Sequence, residues 1–216
     1  MLLRYENKPE DAVWFDGLVP CHIEQSAMGS LLELNCQCLE LLAEQSLVDS
    51  QVRVLTEVKE LYGTLDAQAR VRAAACPFLL LDAGFADPKR WREINAEPPQ
   101  NTAGAFFTVN RAQSVARQVF IFAWHLAQSE GFDAQLLLGM PAQCASVIGT
   151  YTLSQIHEIA DCSSAWLCPR WPSRVAFWRH LLRAAASGEF RALETARLQG
   201  LQLMAADVWG RMSVEP

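Results

Sequence analysis

The stretch NRAQSVARQVFIFAWHLAQ, residues 110–128, decides the fold. It carries Val115, Val119, Phe120, Ile121, Phe122, Ala123, Trp124 and Leu126 at helical spacing and is apolar nearly all round. That pattern predicts a helix at the centre of the molecule. His125 falls inside it and is expected as a hydrogen-bonded core or interface residue.

Working outward toward the C-terminus, the punctuation between apolar runs is helical. Gly131 marks a break, and Ala134–Leu138 forms a short helix that Gly139 stops. Pro141 opens the next helix through Val147 and Ile148. Thr152-Leu153-Ser154-Gln155 has the Thr-x-x-Gln form of a capping box ahead of Ile156, Ile159 and Ala160. Pro169 and Pro172 forbid helix across residues 168–173. Ser173 is then placed to cap a helix from Val175 to Ala186, with Phe177, Trp178, Leu181 and Leu182 on one face and Arg179 and Arg183 opposite. Gly188 separates it from a last helix carrying Leu193, Leu201, Met204 and Val208.

Toward the N-terminus, Glu97-Pro98-Pro99-Gln100-Asn101-Thr102-Ala103-Gly104 lacks apolar periodicity and reads as a linker or long loop. Before it, Asp87-Pro88 has the form of an N-cap with proline at the first helical position. Asp66 caps a short helix ending near Cys76-Pro77. Phe78-Leu79-Leu80-Leu81 suits a buried strand or a buried helical turn equally. Leu31 to Leu47 and Val52 to Tyr62 repeat at helical spacing, with Asp49-Ser50 as a cap between them and Gly63 as a stop. The first residues, to about Ser26, are irregular, with Trp14, Phe15 and Val19 as anchors onto the body. The expectation is an all-α, multi-helical bundle with an N-terminal region over 1–97 and a second region over 105–216, as two packed halves or one body.

Composition narrows the function. The 216 residues carry a net charge of −6 and a pI near 5.2, which disfavours a molecule built to grip phosphates over its whole surface. The charge is shared unevenly: residues 1–105 hold nine basic and sixteen acidic side chains, and residues 106–216 hold nine and eight. An acidic partner or nucleic acid would therefore meet the second part. The opening residues lack an apolar signal segment and no run is long enough to span a bilayer. An odd count of seven cysteines suits a reduced compartment. A cytoplasmic protein without membrane attachment is expected.

No catalytic constellation emerges. A Gly-rich phosphate loop, a His-Glu-x-x-His pair and a Gly-x-Ser-x-Gly elbow are all missing from the sequence. Cys36 and Cys38 sit two apart on a helix and face different ways, as core thiols do. His157, Cys162 and Cys168 are too loosely spaced for a zinc site. His180 reads as a solvated residue beside Arg179. No metal, cofactor or enzymatic activity is expected.

Arginine is the suggestive feature. Arg170, Arg174, Arg179, Arg183, Arg191 and Arg197 are opposed over that stretch only by Glu189 and Glu194. A guanidinium pairs in a forked geometry with phosphate or carboxylate. Arg170, Arg174, Arg179 and Arg183 are the candidate contacts to phosphate or an acidic partner, with Trp171 as an apolar anchor.

The stretch from Phe120 to Trp171, and more loosely residues 115–182, resembles the D subunit of the bacterial flagellar master regulator, FlhD. The match runs without a gap through Ala123 and Leu126, Leu138-Gly139, Thr152-Leu153 with Gln155, Ala160, and Arg170 before Trp171. The resemblance implies a helical, oligomeric, non-enzymatic regulatory subunit. Such a subunit works with a partner that makes most of the DNA contact and carries a cysteine-bound zinc, so DNA contact by this chain would be indirect. The family cysteine that links two subunits falls one position from Cys168. The chain is about twice as long as that subunit, its first half has no counterpart there, and nothing in it matches the partner's zinc cysteines. A rival expectation is an adaptor of a secretion or motility apparatus that never touches DNA.

Overall fold

A computed structural model describes residues 25–48, 53–94, 105–129 and 132–212. The anchors Trp14, Phe15 and Val19, the cap at Asp49-Ser50, the 97–104 linker and the break at Gly131 lie outside the described residues.

The protein is an all-α, multi-helical structure with ten helices and one two-stranded ribbon among the described residues. In chain order the elements are α1 (Gln25–Val48), α2 (Arg53–Thr64), α3 (Ala67–Ala74), β1 (Leu81–Asp82), α4 (Pro88–Glu93), α5 (Arg111–Gln128), α6 (Phe132–Leu138), α7 (Ala142–Gly149), α8 (Leu153–Cys162), β2 (Cys168–Pro169), α9 (Val175–Ser187) and α10 (Phe190–Met212). No helix among the described residues is long and apolar enough to cross a membrane.

Local chemistry sets most of these boundaries. Asp66 accepts the Ala69 amide at the start of α3, and Asp87 accepts the Arg90 amide at the start of α4, with Pro88 at its first turn. Thr152 and Gln155 close a reciprocal capping box on α8. Gly139 ends α6 at φ +61 and Gly188 ends α9 at φ +68, conformations that a Cβ penalises. Two boundaries differ from expectation. Gly63 lies inside α2, which runs on to Thr64. The N-cap of α9 is Arg174 and not Ser173, and no side chain caps that helix.

α5 packs against α1, α6, α7 and α8, which makes it central. It is nevertheless amphipathic and not apolar all round. Val115, Ala116, Val119, Phe120, Phe122, Ala123 and Leu126 are buried, while Arg117, Gln118, His125 and Gln128 face solvent. The core reading of His125 is thus corrected: its side chain is exposed, like those of Arg117, Gln118 and Gln128.

α9 packs against α2, α3 and α10, and one apolar core runs from Leu31 through Phe120 to Trp178. Two aromatic clusters anchor it. Trp91 stacks on Phe85 and meets Phe120 and Trp166 edge-on, while its indole N–H donates to the Gly84 carbonyl at 2.9 Å. Phe78, Trp171, Phe177 and Trp178 form the other cluster.

Phe78 to Leu81 is neither helix nor true strand until its last residue, and all four side chains are buried. Buried backbone without regular structure must find its hydrogen bonds elsewhere. Asn35, fully buried on α1, supplies three: its Nδ2 donates to the Ala74 and Phe78 carbonyls, and its Oδ1 accepts the Leu80 amide at 2.7 Å. The Leu79 amide donates to Leu137 at the end of α6. The remaining carbonyls lead to the functional surface.

Candidate partner-binding surface and cleft

The segment between α8 and α9 carries the predicted contact residues, and the two prolines keep it out of helix. β2 pairs antiparallel with β1, Leu81 opposite Pro169 and Asp82 opposite Cys168. The Arg170 amide extends this ladder by donating to Leu80 at 2.7 Å.

Arg170 is not on the surface. Only 7% of it is exposed. Its Nε donates to the Leu79 carbonyl at 2.8 Å, and its Nη2 donates to Leu138 at 2.7 Å and Leu81 at 3.4 Å. Leu138 is the last residue of α6, where carbonyls lack helical partners and the dipole favours a cation. The expected contact to phosphate is therefore corrected to an internal clasp that joins β1, β2 and α6. Gly139 admits it, because a Cβ there would stand 3.0 Å from Arg170 Nη1. The Arg170 carbonyl in turn accepts the Trp178 indole N–H at 3.0 Å.

Trp171, next along, is the one non-glycine residue at positive φ among the described residues, at +53°. A bulky side chain there is strained and persists only where its surroundings over-determine it. The surroundings are the Arg170 clasp on one side and edge contacts to Phe177 and Phe78 on the other, with ring centroids 5.0 and 5.7 Å away. Trp171 is half-buried, and its Nε1 donates to Asp207 Oδ2 on α10 at 2.6 Å.

The other arginines divide by their partners. Arg174 is exposed at the N-terminus of α9, where the helix dipole disfavours a cation and a capping side chain is forgone. Arg179 pairs with Glu57 of α2 at 2.7 Å. Arg183 is exposed, and among the described residues neither it nor Arg174 forms an ion pair. Arg197 is buried, bonded to Glu194 and to the Arg72 carbonyl. Of the six arginines, Arg174, Arg183 and Arg191 are thus exposed without an ion pair among the described residues, Arg179 is partly neutralised, and Arg170 and Arg197 are internal. Net charge along the stretch could not show this, because Glu57 on α2 and the carbonyls of Arg72 and Leu138 come from distant elements, and only Glu194 is local.

Behind Trp171 lies a cleft of about 250 Å³. Its walls include Asp82, Arg170, Trp171, Ser173, Met204 and Asp207, brought together from β1, the α9 approach and α10. Asp82 Oδ1 accepts the Gly84 and Phe85 amides, which holds the carboxylate in place. Sequence reasoning missed Asp82 and Asp207, which are isolated acids with no local motif. The glycine stop at Gly139 was the only signal near them.

The thiols and imidazoles do not converge. Among the described residues no three His, Cys, Asp or Glu side chains are placed to hold a metal ion. His157 and Cys162 are exposed, and Cys168 is mostly covered. Burial, with the Asp82 carboxylate adding to it, pushes the Cys168 thiol up to about 12 despite opposing Arg170 and Arg90. Burial likewise raises Cys76 to about 12. Cys38 is fully buried and donates weakly to the Leu80 carbonyl, whereas Cys36 is half-buried. His180 is half-buried too, with Nδ1 3.2 Å from Gln199 Oε1, so it is not the solvated residue expected.

No protein-family model, no curated protein and no solved structure matches this chain.

Proposed function

We propose that this chain is a non-enzymatic regulatory protein that acts by binding an acidic-faced partner protein through Trp171, Arg174 and Arg183. The observation that carries the reading is Trp171, held half-exposed at φ +53 on a buried arginine clasp, with the exposed Arg174 and Arg183 following it in the chain and forming no ion pair among the described residues. A rigid aromatic next to arginine is the usual composition of an interface hot spot. The resemblance of residues 120–171 to FlhD supports the same reading, an oligomeric regulatory subunit whose DNA contact passes through its partner.

With Arg170 and Arg197 internal, too few outward cations remain on this face for a phosphate grip. That favours protein over nucleic acid as the direct contact. The test is capture of partners from the native host by wild type and by Arg174→Glu/Arg183→Glu, together with DNA retention across a salt series. A partner retained by wild type and lost by the double variant is expected. DNA binding that weakens steeply with salt and vanishes in the variant would replace the protein partner with DNA. Retention by both proteins would remove the surface altogether. Whether the captured partner is a DNA-binding subunit or a secretion or motility component separates the regulatory reading from the adaptor reading.

A further inference from the structure

The geometry points to the cleft behind Trp171 as a binding site for a small, neutral, polyhydroxylated molecule of about one sugar ring. Its size comes first. At about 250 Å³, the space lies below the roughly 300 Å³ lower bound of pockets for drug-sized ligands, so the occupant is a single ring or smaller.

The polar walls choose the chemistry. Asp82 uses Oδ1 for two backbone amides and Asp207 uses Oδ2 for the Trp171 indole, and in each the other oxygen makes no hydrogen bond among the described residues. A carboxylate only accepts, so the ligand must bring donors. The two carboxylates outweigh the single guanidinium of Arg170, which disfavours an anion. Arg170 is itself more than nine-tenths buried at the cleft wall, and its charge is screened little by water, which disfavours a cation beside it. Hydroxyl groups satisfy both limits: they donate to Asp82 and Asp207 and accept from the Ser173 hydroxyl without adding charge. Trp171 and Met204 supply the apolar wall against which the carbon face of such a ring packs. The strained backbone at Trp171 fixes the indole between the clasp and Asp207, so the wall is preformed.

The test is ligand-detected saturation-transfer NMR and calorimetry on the full chain. The polyol probes are myo-inositol and glucose at millimolar concentration; putrescine and inorganic phosphate are the charged comparators. We expect myo-inositol or glucose to bind. Asp207→Ala should weaken it about tenfold or more, and Arg117→Ala, on α5, should leave it unchanged. If Asp207→Ala melts early, the isosteric Asp207→Asn takes its place. No binding of either polyol overturns the assignment. So does tighter binding of putrescine or phosphate, or polyol affinity that is the same in the Asp207 variants.

Discussion

The Arg170 guanidinium reaches the Leu138 carbonyl at 2.7 Å, so a charged side chain expected at the surface instead closes the open end of α6. Two further carbonyls, of Leu79 and Leu81, depend on the same group. Arg170→Met would leave three buried acceptors unpaired, and Arg170→Lys cannot reproduce the fork. At 1–3 kcal/mol for each orphaned group, the Met variant should lose roughly 3 kcal/mol or more, measured by urea denaturation. A loss under about 1 kcal/mol would mean that water or a rearranged side chain replaces the clasp.

Gly200 makes a second, purely steric prediction. A Cβ at this position of α10 would lie 2.1 Å from the Phe78 ring, itself fully buried. Gly200→Ala should gain up to about 1 kcal/mol in helix propensity but lose about 1–3 kcal/mol to overpacking. Net destabilisation is expected, and Phe78→Leu should relieve part of it in the double variant. A melting temperature for Gly200→Ala above wild type would show that α10 does not seat on Phe78.

Thiol chemistry should follow burial. In a Cys21→Ser background, Cys162 should react with a disulfide reagent at once, Cys168 more slowly, and Cys38 and Cys76 only on unfolding. The pH dependence has a definite sign. Cys76 and Cys168 rise from 9.0 to about 12 in the folded state. Below pH 9 both states keep these protons and stability is unaffected. From 9 to 12 the unfolded chain releases protons that the fold retains, so stability falls as pH rises. Denaturation midpoints that stay level from pH 9 to 11 would contradict this.

The Arg179–Glu57 pair bridges α9 and α2, with side chains 39% and 33% exposed. Partial exposure limits its worth. A double-mutant cycle with alanine should return about 0.2–1 kcal/mol, shrinking in high salt. A larger, salt-insensitive coupling would place the pair in a drier environment than its exposure indicates.

Much of the framework was legible in the sequence because its causes are local. Asp66, Asp87-Pro88, Thr152 with Gln155, Gly139 and Gly188 each act on backbone within four residues, so composition and spacing suffice. The candidate surface was half legible. Arg174 and Arg183 lie at the surface, and Trp171 lies half at it. Arg170 and Arg197 do not, because their burial depends on carbonyls of Leu79, Leu81 and Arg72, about ninety residues or more away in sequence. The ambiguity at Phe78–Leu81 has the same origin: the run is apolar on every side, and the distant partners Asn35, Leu137 and Arg170 decide its backbone. Asp82 and Asp207 meet at the cleft through tertiary packing alone.

That irregular run also inverts a common expectation about solvent exchange. The amides of Leu79 and Leu80 belong to no helix, yet each is sealed under apolar side chains and donates to a distant partner, Leu137 and Asn35. Neither can be released by fraying a neighbouring turn. Deuterium should therefore enter these two sites only when the molecule opens as a whole, later than at the exposed helical ends of α2 and α8.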